Sequence, residues 1–347
     1  MSLIVCNTRC MTAGLTGVQR YVGEILRFSE SQIEPIAPMR PLRGVGGHIW
    51  EQVALPIGLR GRMLWSPANT GPVAVARQVL TLHDLAPIDH PEWVTPQFAL
   101  WYRHLWNLLL PRVAHIITIS NFTRSRLLQY YDIPSERITV IHNGVDDRFH
   151  RRTSGEIDTA LMACGVVGRR YVLSVCALVP RKNLVRLLQA WEQALCELPD
   201  DVTLVLVGNV GDRTIFSSLN FGTVPSRVQF LGHVDDEYLP ALMSGALMFI
   251  YVSLYEGFGL PPLEAIACGT ATISSDVTAM PEVLGDAALL VDPEDTSAIA
   301  RAMILIASDS VLRTNLQNRG PEKAGQFSWR FTARRTINLF SEIIRQY

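Results

Sequence analysis

The sequence has almost no lysine. Of its 31 basic side chains only Lys182 and Lys323 are lysines, and the other 29 are arginines. The two differ in hydration, in hydrogen-bond geometry and in how readily they change pKa, so a lysine kept in such a chain marks its position. Net charge is missing too. Thirty-one basic and 32 acidic residues leave −1, which excludes a general nucleic-acid binder, a class with a basic excess. No apolar run reaches the ~18 residues of a membrane span. The opening Met1–Cys6 is too short and lacks the basic start of a signal peptide, so none is expected. The six cysteines form no Cys-x-x-Cys pair and no zinc-spaced group with histidine. A reducing, cytoplasmic setting is expected. Asp-x-Asp, internal repeats and low-complexity tracts are also absent. The acids Asp235, Asp236 and Glu237 read as a helix start, and no metal site is expected.

What is present is ordinary globular composition over 347 residues, 48% of them hydrophobic. At ~150 residues per domain, that is about two domains. Short β-branched runs alternate with helical patterns. The strand candidates are 3–7, 33–37, 62–66, 79–83, 115–119 and 138–142, then 171–176, 202–208, 228–231, 247–252, 271–274 and 288–291. Continuously apolar strands are buried on both faces, as in parallel sheets. Helices are expected at 18–27, 96–111, 121–130, 184–197, 238–244, 262–268 and 329–347, the last with Phe331, Ile337, Phe340 and Ile344 on its apolar face. The βαβ pattern restarts once, after a charged, glycine-containing segment at 147–170. This predicts two doubly wound α/β domains, at 1–165 and 166–328, and a final helix at 329–347. Ligands in such sheets bind beyond the carboxyl ends of the strands, which directs attention to 8–18, 83–86, 177–183, 208–213, 232–234 and 253–260.

The most informative stretch is Tyr255-Glu-Gly-Phe-Gly-Leu-Pro-Pro-Leu-Glu264. A strand leads into a loop with Gly257 and Gly259, and a helix then starts near Pro261 or Pro262. Free amides at such a turn form an anion site. Glu256 and Glu264 would repel phosphate but can accept hydrogen bonds from ribose or sugar hydroxyls. In Pro180-Arg-Lys-Asn183, Lys182 offers a compact cation and Arg181 a planar fork, both suited to a diphosphate. His83, at the end of a strand, can hydrogen-bond a hydroxyl, and Asp84 either orients it or caps the next turn. Gly14 and Gly17 precede a helix and allow backbone to approach a ligand. Trp93, Trp101, Tyr102 and Trp106 lie in or near the helix at 96–111. Core packing is the first reading for them and a lipid or acceptor surface the second.

Together these pieces resemble the retaining glycosyltransferases of family 4, which have the GT-B fold. Glu256 and Glu264 match the family's Glu-x7-Glu signature, and Gly14–Tyr21 its N-terminal glycine loop. Leu82–Leu85 matches its histidine motif, Thr118–Ser125 and Ile141–Asp146 the end of its first domain, and Pro180–Asn183 its phosphate loop. Val228–Gly232, Met280–Val283 and Ala287–Asp292 follow in the family's order. The resemblance implies two facing Rossmann-like domains, an acceptor-binding one and then a nucleotide-sugar-binding one, with the last helix returning to the first. It implies retaining hexosyl transfer to a hydroxyl of a growing, lipid-linked glycan. GDP-mannose is the favoured donor, as in bacterial polysaccharide and O-antigen mannosyltransferases, and UDP-glucose is next.

By the same resemblance Arg181 and Lys182 neutralise the leaving diphosphate, and Glu256 and His83 reach the donor sugar. Gly17, Gly208, Gly257, Phe258, Gly259, Leu260 and Glu264 line the donor site, with Glu264 on the ribose. Gly14 and Asp84 belong to the acceptor side. No cofactor or metal is implied. The expected partners are the nucleotide sugar and the glycan, with peripheral contact at the inner face of a membrane. Ala177 stands where many members carry an arginine, and Arg181 is the candidate to replace it. The competing readings are a sugar-nucleotide epimerase or phosphorylase on the same fold, and a non-catalytic sugar-nucleotide-binding subunit.

Overall fold

Each predicted strand is present, with ends shifted by about two residues or fewer. The computed structural model describes residues 4–12, 17–42, 44–59, 61–168, 170–175, 179–208 and 224–346. The first six strands are β1 (Ile4–Asn7), β2 (Ile33–Ile36), β3 (Met63–Ser66), β4 (Gln78–Leu82), β5 (His115–Thr118) and β6 (Ile138–Val140). They form one parallel sheet in the order β2-β1-β3-β4-β5-β6. The second six are β7 (Arg170–Val175), β8 (Val202–Val207), β9 (Val228–Gly232), β10 (Met248–Tyr251), β11 (Thr272–Ser275) and β12 (Leu289–Val291). They form a second parallel sheet, β12-β11-β10-β7-β8-β9.

Both sheets are doubly wound, so each has a point where the strand order reverses. It lies between β1 and β3 in the first sheet and between β7 and β10 in the second. Loops leaving the two flanking strands at their carboxyl ends splay apart there and leave a crevice.

The chain divides into two compact units, Met1–Gly144 with Phe327–Tyr347, and Val145–Gln326. The division falls at Gly144, not at 165, because the segment read as a linker holds a helix of the second unit. Helix Ser154–Cys164 has a capping box between Thr153 and Glu156 and stops at Gly165, whose φ is 65°. It packs on helix Leu239–Gly245 so closely that a Cβ on Gly245 would lie 2.5 Å from Ile157. In the core of this unit, helix Leu184–Ala194 buries Leu184, Leu187, Leu188 and Trp191 at helical spacing.

In the first unit, Leu105, Trp106 and Leu109 pack beneath Leu80, Leu82 and Ile116. Trp106 spends its indole N–H on Asn69 O at 2.8 Å. Trp101, for which core packing was the first reading, points outward at 38% exposure. The buried stripe of helix Pro96–Leu109 runs instead through Ala99, Leu105, Trp106 and Leu109. The last helix, Trp329–Gln346, buries Trp329, Ala333, Thr336, Leu339, Phe340 and Ile343 in this unit. Its expected apolar face included Phe331, which is exposed with Arg335 over its ring.

Helix Leu260–Ala267, which follows the glycine loop, is held from behind by helix Ser310–Ala324. The contact is possible because residue 320 is glycine: a Cβ there would sit 2.6 Å from Ile266 O. Backbone cannot yield as a flexible side chain would, so Gly320→Ala should cost about 1–3 kcal/mol of stability. A lower thermal midpoint is expected in the variant, and an unchanged one would contradict this packing.

Candidate functional site

The reversal point of the second sheet gathers the charged residues. Beyond β7 a short turn, Pro180–Lys182, presents Arg181 and Lys182. Beyond β10 the loop carries Ser253, Glu256 and the glycines. Asn183 joins the two loops. Its backbone is left-handed, with φ at 59°, and its Nδ2 donates to Val252 O at 3.0 Å and Pro293 O at 2.7 Å. Leu254 N adds a bond to Arg181 O at 2.8 Å.

Glu256 is the hub. Its Oε1 accepts from Lys182 Nζ at 2.5 Å, Ser253 Oγ at 2.7 Å, Tyr251 OH at 2.9 Å and Arg181 Nη1 at 3.0 Å. Lys182 Nζ also meets Tyr251 OH and stands 4.7 Å from the centre of that ring. The Glu256 backbone N–H donates to Thr278 Oγ1 at 3.3 Å. Among the described residues no hydrogen bond reaches the other carboxylate oxygen, Oε2, and it is not a buried orphan. Burial pushes the Glu256 pKa up. The charges of Lys182 and Arg181, with hydrogen bonds from Lys182 and Ser253, outweigh burial and hold it at about 2. The site thus presents an ionised carboxylate with four donors on one oxygen. Beside it are two cations that can trade the carboxylate for a phosphate.

The rest of the loop closes around this group. Gly257, Phe258, Gly259 and Leu260 are all buried. Gly259 has φ 94°, and a Cβ there would fall 2.2 Å from Met280 Cε, so both backbone angle and space require glycine. Glu264 is buried in helix Leu260–Ala267, about one turn from its start. Gly208 ends β8 at φ 138°, its N–H on Gly232 O at 2.8 Å. Ala177 lies outside the described residues, as does Gly14.

His83, Asp84 and Gly17 belong to the first unit. His83 is buried beyond β4, and its Nε2 lies 2.7 Å from Pro67 O, beyond β3. Burial lowers its pKa, against the Pro67 hydrogen bond and the Asp84 charge. A carbonyl can only accept, so Nε2 carries the proton and Nδ1 is an acceptor. Asp84 caps the following turn, Oδ1 accepting from Ala86 N at 3.1 Å. Gly17 is exposed at the start of helix Gly17–Phe28.

A second buried carboxylate lies beside the reversal point of this sheet. Glu51 accepts from Asn7 Nδ2 at 2.6 Å, Thr70 Oγ1 at 3.1 Å and Arg9 Nη2 at 3.3 Å. Sequence reasoning passed over Glu51, Tyr251 and Thr278 as site residues. Tyr251 gave a signal: it ends a strand at the reversal point. Among the described residues no group of His, Cys, Asp and Glu is arranged to hold a metal.

Because its folded pKa is lowered from 4.5 to about 2, Glu256 contributes stability above pH 4.5 that is lost as pH falls toward 2. Glu256→Gln removes that titration. Its thermal midpoint should fall less than that of the wild type through this window. Parallel acid limbs would contradict the lowered pKa.

Two family models match the chain: Glycosyltransferase Family 4 over residues 62–149, and Glycosyl transferases group 1 over 166–323. O-antigen chain mannosyltransferase B of Escherichia coli is 33% identical over 78% of this chain and 71% of that protein. The serotype-specific mannosyltransferase WbdA of E. coli is 31% identical over 78% of this chain but only 34% of its own length. Among solved structures, Anabaena Alr3699/HepE in complex with UDP-glucose superposes with a TM-score of 0.77. The match is 19% identical and covers 98% of this chain and 99% of that one. WaaG, a glycosyltransferase involved in lipopolysaccharide biosynthesis, gives 0.73 at 15% identity, with 97% and 99% covered. These structural likenesses show the GT-B fold. With the sequence relatives and the Glu256–Glu264 loop in place, the chain belongs to the group 1, family 4 glycosyltransferases.

Proposed function

We propose that the chain transfers a hexosyl group, with retention of configuration, from a nucleotide sugar to a hydroxyl of a growing lipid-linked glycan. GDP-mannose is the favoured donor and UDP-glucose the second. One observation carries the reading: Arg181 and Lys182 converge on the carboxylate of Glu256 at the mouth of the glycine loop. A donor diphosphate takes the two cations, and Oε2 accepts from the sugar hydroxyls. The Gly257–Leu260 amides complete the phosphate cradle, and Glu264 takes the ribose. His83 offers Nδ1 to the sugar. Asp84 caps its own turn through Oδ1 and serves the acceptor side together with Gly14, while Gly17 serves the donor.

Two cations at the phosphates stabilise the charge that develops as the sugar–phosphate bond breaks, so no metal is required. Front-face attack by the acceptor hydroxyl needs no protein nucleophile, the leaving phosphate taking the proton. The mannosyltransferase names of the sequence relatives support mannose, and the UDP-glucose complex of the structural neighbour keeps glucose second. The chain works on the cytoplasmic side, in peripheral contact with a membrane.

Removing one such charge typically costs ~10²–10³ in rate. Lys182→Ala should therefore lose at least about a hundredfold of transfer while remaining folded at the assay temperature, Arg181 still being paired with Glu256. Wild-type turnover in that variant would overturn the assignment. In a donor panel, GDP-mannose should raise the thermal midpoint and be consumed. Stabilisation by UDP sugars alone would overturn the mannosyl reading. The linkage formed should keep the donor's anomeric configuration by NMR, and the opposite anomer would overturn retention.

A further inference from the structure

No helix is expected from the sequence at 44–58, yet the segment is helical throughout. It is α-helical at Gly44–Ile49, passes through a π-helical turn at Trp50–Ala54, and returns to α at Leu55–Gly58. A π turn is rare and recurs at functional sites, and this one carries Glu51. The turn is pinned on the first sheet. Leu55 packs with Val5 and Leu64, and Gln52 Nε2 donates to Gly71 O at 2.9 Å.

Glu51 points at the place where β1 and β3 part. Asn7 and Arg9 reach it from beyond β1, and Thr70 from beyond β3. Arg9 Nη2 also donates to Thr70 Oγ1 at 3.2 Å. Arg9 can lie against the segment because residue 47 is glycine: a Cβ there would fall 2.7 Å from Arg9 Nη1. The side chains of this ion pair are 18% and 1% exposed. At such burial a pair gains little stability over apolar residues of the same size. The protein does not complete the network either. Among the described residues, Arg9 Nε and His48 Nδ1 are buried without a partner.

Helix Pro96–Leu109 and the loop beyond β4 stand at the same place. The ring of His48 lies 5.0 Å, centre to centre, from that of the exposed Trp101. The next residue, Tyr102, places its hydroxyl in the field of Asp84, Glu51 and Arg9. Burial pushes this phenol up to about 12, the two acids adding to the rise and Arg9 opposing it. The hydroxyl is therefore protonated at neutral pH and able to donate.

We infer that Arg9, Glu51, Asp84, Trp101 and Tyr102 form a subsite for the terminal sugar of the acceptor glycan, and that this sugar is a neutral hexopyranose. The inference rests on the transferase reading above and adds the chemistry of the acceptor to it. Neighbouring sugar hydroxyls need donors and acceptors side by side, which guanidinium, phenol and carboxylates supply together. The apolar C–H face of a pyranose ring lies well on an exposed indole. An anionic sugar is a poorer occupant. Two carboxylates stand here against one guanidinium that is already paired, so further negative charge is repelled.

The test is a ligand-observed NMR titration of the full chain, with GDP or UDP present. The probes are the methyl α-glycosides of mannose and glucose, set against mannose 6-phosphate and methyl glucuronide. The better neutral glycoside should bind at least about tenfold more tightly than either anion. Trp101→Ala and Tyr102→Phe should each weaken it about fivefold, through loss of one ring contact or one hydrogen bond. Both variants should keep the cooperative unfolding of the wild type and its affinity for the nucleoside diphosphate. In transfer assays they should raise the acceptor KM by the same factor and leave the donor KM alone. Three results would overturn the inference: a wild type that binds neither neutral glycoside, tighter binding of an anionic sugar, or variants that bind as the wild type does. A chain that binds a neutral glycoside through these residues but transfers nothing would instead count against the transferase reading alone.

Discussion

One carboxylate oxygen organises the second unit. Glu256 Oε1 draws in a lysine, an arginine, a tyrosine and a serine that come from two loops and the end of one strand. That convergence exists because β7 and β10 are neighbours in space but not in sequence, so their loops open onto the same crevice. Lys182 keeps only 10% of its side chain exposed, and an unpaired cation at such burial would be strongly destabilising. The pairing therefore does two things. It offsets the burial of the cation and holds it at the mouth of the crevice. It also leaves the exchange of Glu256 for phosphate as the event that accompanies binding.

The scarcity of lysine reads differently against this geometry. Arginine fills nearly every cationic position in the chain, yet the position beneath Tyr251 holds lysine. A compact ammonium can touch the Tyr251 hydroxyl and Glu256 at once, whereas a planar guanidinium needs more room and a fixed fork of partners. Arg181, one residue earlier and 33% exposed, has that room. Lys323 is half-buried beside Gln326, outside the site. Two adjacent cations, identical in formal charge, are divided by geometry into a buried point charge and a surface fork.

Much of this was legible in the sequence because it rests on local rules. Strand periodicity located both sheets, and the loops after the strands contained Lys182, Glu256 and His83. What escaped detection was decided by tertiary context. The segment 44–58 holds four glycines and a proline, so its composition speaks against a helix, and Val45, Ile49, Val53 and Ile57 face outward. Trp101 and Leu108 share helical spacing with core residues but sit on the other side of the turn. Tyr251 looked like one more apolar strand residue, and only the reversal of strand order turns its hydroxyl into a partner of Glu256. Helix Ser154–Cys164 is the exception. Its capping box, Thr153 to Glu156, was written in the sequence.

The central claim is that Glu256 holds the two cations through one oxygen and serves the donor sugar through the other. Titration calorimetry of the wild type and Glu256→Gln, with a nucleoside diphosphate and with the matching nucleotide sugar, tests it most directly. The account predicts that the variant binds the diphosphate more tightly than the wild type does, because Arg181 and Lys182 no longer have to leave a carboxylate. The extra affinity contributed by the sugar should vanish. A variant that still prefers the nucleotide sugar to the diphosphate by the wild-type margin would contradict the account.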